Sequence, residues 1–391
     1  MEDFRFYVPT DVRFGKNHLA ELPEALAQFG KKVLFVYGGG SIKKSGLYQQ
    51  VKEQLADFEV TELAGVEPNP KIESVRQGVE LARSNDVDVI LAVGGGSVID
   101  AAKVISGSVF YDGDAWDVVK SGSWTGNALP LIDVLTLSAT GTEMNRNAVI
   151  SNMAINEKLG MNGKNFIPRV SFLDPSLTQS VSKWQTAAGA SDILSHLFEQ
   201  YFARVEQTDL QDHLAEAIMK TVITHGPIAL NEPDNYNSRA ELMWASSLAL
   251  NGLENAGKPV GWTVHPIEHE LSAFYDITHG IGLAIVTPRW MAYSLNEQTV
   301  AKFVKYGQNV WDITDKDDFE IAREAIRKTV EWYKQMDIPM TLPEVGIDES
   351  RLAEMSKAAV EHGGLAEGVF VPMLPADVEA VLQASLTEFE I

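Results

Sequence analysis

Three histidines, His265, His269 and His279, fall within GWTVHPIEHELSAFYDITHGIG, the stretch from Gly261 to Gly282. The whole chain has only eight. His265 and His269 are spaced i, i+4, so on a helix both imidazoles leave one face. Pro266 suits the first turn of a helix that starts there. Upstream, Asp192 and His196 repeat the same spacing among Ala187, Ala188, Gly189, Ala190, Ile193, Leu194, Leu197 and Phe198. A carboxylate and an imidazole on so apolar a helix are costly to bury unless paired. They could pair with each other, or they could share an ion. Asp192, His196, His265 and His279 together offer four nitrogen and oxygen ligands, a set that suits Zn²⁺ or Fe²⁺. The stretch His265-Pro266-Ile267-Glu268-His269 also spells H-x-x-E-H, the inverted zinc-peptidase motif with glutamate as base. Packing of core histidines is the third reading.

These residues need elements to hold them, and the two halves of the chain differ in texture. In the first half, KKVLFVY (31–37), VDVILAV (87–93) and LPLIDVLTL (129–137) read as buried strands, with EVTEL as a further candidate. Helical patterns such as KIESVRQGVELARSN lie between them, which implies a parallel sheet covered on both faces. From about Ser180 long helical patterns dominate, among them KWQTAAGASDILSHLFEQYFARV, DHLAEAIMKTVITHGPIAL and SRAELMWASSLALNGLENAG. Pro175 and the polar run after FLDPSLTQ mark a loop, so an α/β domain over 1–179 and an all-helical domain over 180–391 are expected.

Ligands of such sheets sit at the carboxyl ends of the strands. Gly38-Gly39-Gly40-Ser41 follows the first strand, and Gly94-Gly95-Gly96-Ser97 follows another, with Asp100 one helical turn on. Glycine there lets backbone approach a phosphate, and a helix N-terminus supplies free N–H groups and positive dipole charge. TLSATGTEMN (136–145) adds a third loop rich in hydroxyl groups. Three loops fit a dinucleotide better than a single phosphate.

Composition narrows the class. Hydrophobic residues are 45% and charged residues 22%, as in ordinary globular proteins. The net charge of −22 argues against a nucleic-acid partner. No apolar run approaches the roughly 20 residues of a membrane helix, and the N-terminus lacks a secretory signal pattern. There is no cysteine, so disulfides and thiolate ligands are excluded. A cytoplasmic enzyme is expected, with a homodimer as the default assembly and the region FRFYVPTDVRFG as a possible pairing edge.

The motifs YGGGSIKKSG, EPNP, AVGGGSVIDAAK, TLSATGTEMN, LDPSLT, ASDILSHLFEQY and HPIEHELSAFYDITHG, in this order, resemble the iron-containing (type III) alcohol dehydrogenase family. The likeness covers essentially the whole chain and is greatest to the branch of butanol dehydrogenases and NADPH-dependent aldehyde reductases. It implies the dehydroquinate synthase-like fold, with a dinucleotide-binding α/β domain followed by an all-α domain. It implies that Asp192, His196, His265 and His279 hold one divalent metal, Fe²⁺ or Zn²⁺, with His269 near the substrate. It places the phosphate loop at Gly94 to Ser97 and further cofactor contacts at Asn69, Thr136, Thr140 and Lys158. Hydride transfer between NAD(P)H and small aldehydes or primary alcohols is then the expected reaction. NAD-restricted members carry an acidic residue at the position of Gly39. The small residue here, followed by Ser41, Lys43 and Lys44, favours NADP(H) over NAD(H). Glycerol dehydrogenases share the fold but typically use three protein ligands. Phe166, Phe274 and Tyr275 are candidate apolar walls for the substrate.

Overall fold

The computed structural model describes residues 1–205 and 207–391. They form two compact units, one of Tyr7–Val181 with Pro233–Asn251, the other of Met1–Phe6, Ser182–Glu232 and Gly252–Ile391.

The first unit carries β1 (Asp11–Phe14), β2 (Lys32–Gly38), β3 (Glu59–Val66), β4 (Val89–Gly94), β5 (Ser123–Trp124), β6 (Leu131–Leu135), β7 (Asn147–Asn152), β8 (Glu157–Gly163) and β9 (Val170–Leu173). Six of them form a parallel sheet in the order β1-β9-β6-β4-β2-β3. β2 and β4 are apolar along their length because both faces are covered. Val33, Phe35, Val89 and Leu91 enter one core; Leu34, Val36, Ile90 and Ala92 enter the other. The strands read from 31–37, 87–93, 129–137 and EVTEL are thus β2, β4, β6 and β3. A second sheet, β5-β8-β7, was not legible in the sequence, and Lys158 stands on its middle strand.

The sheet aims its carboxyl ends at the glycine loops. β4 ends at Gly94, and Gly95 caps the helix Gly96–Ser108. β2 ends at Gly38; Gly40, at φ 125°, adopts a conformation open to glycine before the short helix Ser41–Lys44.

The second unit contains helices only, with no strand among its described residues. Its central helix, Lys183–Tyr201, starts where Ser182 accepts a hydrogen bond from the Gln185 N–H. It is buried continuously from Thr186 to Tyr201, which explains its apolar character on every side. No helix among the described residues is long and apolar enough to cross a membrane.

The units do not divide at a single point near residue 179. They part between Val181 and Ser182, and the helix Tyr236–Ala249 belongs to the α/β unit. Its side chains explain this. Met243 enters a sheet core, Ser247 Oγ donates to the buried carboxylate of Glu143, and Trp244 meets Phe14 edge-on at 6.1 Å.

Candidate metal centre

Three helices of the second unit build the histidine cluster. Lys183–Tyr201 supplies Asp192 and His196, Val264–Tyr275 supplies His265 and His269, and His279 opens His279–Ser294. Asp276 at φ 51° turns the chain between the last two. Gly280 lets the third helix approach the first, since a Cβ there would collide with the Ala188 carbonyl.

Three imidazoles converge on one oxygen. The Nε2 atoms of His196, His265 and His279 lie 3.6, 3.7 and 3.7 Å from Asp192 Oδ1. Tetrahedral ligands with bonds of about 2.1 Å are separated by about 3.4 Å, so these spacings suit a shared ion. Asp192 Oδ1 and His265 Nε2 are buried and have no hydrogen-bond partner, which a metal would remedy. Asp192, His265 and His279 form one trio whose ligand atoms lie within 4.8 Å of one another, and Glu268, His269 and His279 form a second beside it. His196 stacks on His265 at 4.8 Å between ring centres. The donor set therefore fits a divalent metal.

Two buried glutamates orient the rings. Glu199 accepts the backbone N–H groups of Thr263 and His265 at 2.9 and 2.8 Å. The same carboxylate faces His265 Nδ1 at 3.2 Å, which leaves Nε2 toward Asp192. Glu268 pairs with His279 Nδ1 and accepts the Ser272 hydroxyl. Both Glu268 oxygens are thereby engaged with the protein, so the H-x-x-E-H reading of a peptidase base is corrected. That glutamate holds the His279 ring in place instead. Neither role was read from the sequence. Glu199 stands seven residues after Asp192, on the same helix face, and this spacing was the available signal.

The local field matches a site built for a cation. Burial opposes charge on Asp192, yet the surrounding imidazoles of His196, His265 and His279 bring its carboxyl well below the usual range. Burial outweighs Asp192 at His196, which is pushed down to about 4. At His265 burial is overcome by Asp192 and Glu199, which push it up to about 9. His269 is half-buried, its ring centre 5.6 Å from that of His279 and 6.3 Å from that of His265.

The expected cofactor residues lie in the α/β unit. Gly38 and Gly94 both abut Val98. Gly96 is so close to Thr140 that a Cβ would collide with its side chain, and Gly95 packs against Leu137. The Thr136 N–H donates to the Gly94 carbonyl at 3.0 Å. Ser97 lies in the first turn of Gly96–Ser108, and no side chain caps that N-terminus, a setting that suits phosphate. Lys158 Nζ donates to Asn69 Oδ1 at 3.2 Å, a separate buried pair. Asp100 faces inward, accepting the Thr142 hydroxyl at 2.6 Å and the Val149 N–H at 2.9 Å. Around Gly39 no atom lies within 4 Å of where a Cβ would stand. Lys43 Nζ lies 5.1 and 4.9 Å from the ring centres of Tyr37 and Tyr48.

Of the candidate walls, Phe166 is a fully buried core residue beside Gly107 and Gly163, because the sheet's helices enclose it. Phe274 lies under the Arg351 guanidinium at 4.1 Å.

A parallel sheet with glycine loops, followed in sequence by a helical unit with an Asp-His₃ cluster, is the arrangement expected of a metal-dependent nicotinamide oxidoreductase. Residues 9–175 match the model of the iron-containing alcohol dehydrogenase family, and residues 186–386 match the C-terminal model of that family. The chain belongs to this family and is an alcohol/aldehyde oxidoreductase that works with a divalent metal and a nicotinamide cofactor. It is 51% identical to NADH-dependent butanol dehydrogenase A of Clostridium acetobutylicum, over 98% of this chain and 100% of that protein. It is 38% identical to the NADPH-dependent aldehyde reductase YqhD of Escherichia coli, over 93% and 94%. The crystal structure of NADH-dependent butanol dehydrogenase A from Thermotoga maritima superimposes with a TM-score of 0.94 at 37% identity, over 99% of both chains.

Proposed function

We propose that the protein interconverts short and medium aliphatic aldehydes and primary alcohols, butanal and butanol among them. In this reading Asp192, His196, His265 and His279 hold the metal. Gly38–Ser41, Asn69, Gly94–Ser97, Thr136, Thr140 and Lys158 surround the nicotinamide dinucleotide. The observation that carries the reading is the convergence of three Nε2 atoms on Asp192 Oδ1. The relatives named butanol dehydrogenases support the substrate class.

When bound, the metal polarises the carbonyl and the nicotinamide supplies hydride. The chain's own residues do the rest. Glu199 and Glu268 keep the Nδ1 positions of His265 and His279 engaged, so their Nε2 atoms stay available. The apolar helix around Asp192 keeps water from the charged cluster. A ring nitrogen of His269, half-buried beside the cluster, passes a proton between substrate and solvent.

Cofactor choice turns on Gly39. Relatives at 51% and 49% identity are named for NADH and one at 38% for NADPH. The open space at Gly39, with no carboxylate there, leaves room for a 2′-phosphate, so the loop accepts NADPH alongside NADH. Terminal strand β1 offers an edge to a second copy, in keeping with a homodimer.

The test is butanal-dependent oxidation of NADPH and NADH by protein stripped of metal and reloaded with Fe²⁺ or Zn²⁺. Metal-restored turnover is expected; no turnover with either ion or cofactor refutes the proposal. Gly39→Asp should lower kcat/KM with NADPH by about 10-fold or more through charge repulsion and leave NADH within about 3-fold. Equal loss with both cofactors would refute the role given to this position.

A further inference from the structure

We propose that Lys103 is a positioning residue for the nicotinamide cofactor, its ammonium locking the segment 136–145 against the helix that starts at the phosphate loop. The proposal rests on the reading that Gly94–Ser97 and Thr140 take the dinucleotide. Lys103 lies on Gly96–Ser108, two turns beyond the loop, and is completely buried. Its Nζ donates to the Thr142 carbonyl at 2.6 Å, the Thr142 hydroxyl at 2.6 Å, the Asn147 carbonyl at 2.8 Å and Asn145 Oδ1 at 3.1 Å. Every partner comes from the segment that follows Thr140.

Asp100, one turn nearer the loop, completes the clamp. The Thr142 hydroxyl accepts from Lys103 and donates to Asp100, while the other Asp100 oxygen takes the Val149 N–H. Asn145 is held as well, for its amide donates to the Gly141 carbonyl. Gly141 at φ 58° starts this turn, directly after Thr140. Thr140 in turn touches Gly96, the first residue of the helix. One buried cation thus fixes the distance between the phosphate loop and the hydroxyl-bearing loop opposite.

A buried ammonium is a poor way to gain stability, because desolvation offsets much of what its partners return. Apolar packing would hold two segments together at less cost. The directional bonds of Lys103 add a defined geometry, which lowers the ordering cost when a ligand binds.

The test is a fluorescence titration of the metal-loaded enzyme with NADH and with NADPH. Lys103→Met is expected to raise Kd for the cofactor by about tenfold or more and to raise cofactor KM by more than it lowers kcat. Metal content should match the wild type. Thr142→Val removes the shared hydroxyl and should weaken binding by about threefold or more, while Thr142→Ser restores it. If Lys103→Met is not recovered folded, the Val and Ser variants at Thr142 decide by the same titration. A lower melting temperature with wild-type Kd overturns the proposal, as does equal Kd for the two Thr142 variants. Gly96→Val serves as control for the underlying reading. Loss of binding there with wild-type Kd in Lys103→Met sinks the clamp alone. Wild-type binding in Gly96→Val sinks the loop assignment itself.

Discussion

Alanine at His265 is expected to release the metal and abolish turnover together, whereas alanine at His269 spares the metal and slows the reaction. His265 sits between two buried carboxylates, Asp192 through Nε2 and Glu199 through Nδ1. Removing its ring deletes a ligand and leaves both acids without the group that separates them. Breaking a buried charge arrangement by deleting one partner costs about 3–5 kcal/mol, so the protein should also melt at lower temperature. A bound ion stabilises the native state by about 4 kcal/mol when its free concentration is 1,000-fold above Kd, and that contribution disappears too. His269 lies beside the cluster, its ring centre 6.3 Å from that of His265 and 5.6 Å from that of His279. Its alanine variant should retain wild-type metal and lose about 100-fold in kcat, the lower end of what a positioned proton donor contributes. Metal analysis after gel filtration, paired with aldehyde reduction rates, separates the two. Loss of metal from His269→Ala would make it a ligand, and an unchanged rate would refute the proton role.

The second large effect comes from a position with no functional group. Gly280→Ala places a methyl group inside contact distance of the Ala188 carbonyl oxygen, and the nearest atoms it meets are all backbone. No flexible side chain can yield. The helices Lys183–Tyr201 and His279–Ser294 must move apart, which costs about 1–3 kcal/mol or more as overpacking. The melting temperature should fall by about 5 °C. Because His279 precedes Gly280 and Asp192 is one turn beyond Ala188, the same movement opens the ligand cluster. Metal affinity should drop by about 10-fold or more, as ligand misplacement does. Gly39→Ala is the control, since nothing lies within 4 Å of its added methyl, and its melting temperature should match the wild type. A Gly280→Ala protein with unchanged melting temperature and metal content would refute this account.

Why most of the histidine cluster was legible is a matter of spacing. Asp192 with His196, and His265 with His269, are pairs one helical turn apart, and local periodicity places them on one face without knowledge of the fold. The strands β2 and β4 were legible for a similar reason, as unbroken apolar runs closed by glycine. What the spacing could not reveal were partners supplied from elsewhere. Glu199 meets His265 across two helices, and Asp100 turns to Thr142 and Val149 rather than to the glycine loop. Phe166 shows the same limit, because an aromatic reads alike whether it lines a cavity or fills a core. The helix Tyr236–Ala249 has an ordinary helical pattern, and a pattern of that kind does not say which unit covers it.

That displaced helix bears on how the polypeptide acquires its structure during synthesis. The chain passes between the two units at 6/7, 181/182, 232/233 and 251/252. A ribosome that has just released residue 181 has therefore delivered every strand of the parallel sheet, yet not Met243 or Ser247. The apolar surface that Met243 covers and the carboxylate of Glu143 that Ser247 meets must wait for the segment 233–251. By then the helix bearing Asp192 and His196 has already emerged. Sheet completion and the start of the histidine cluster thus overlap in time, and a fragment cut at the visible texture change near residue 180 should be aggregation-prone rather than an autonomous nucleotide-binding module.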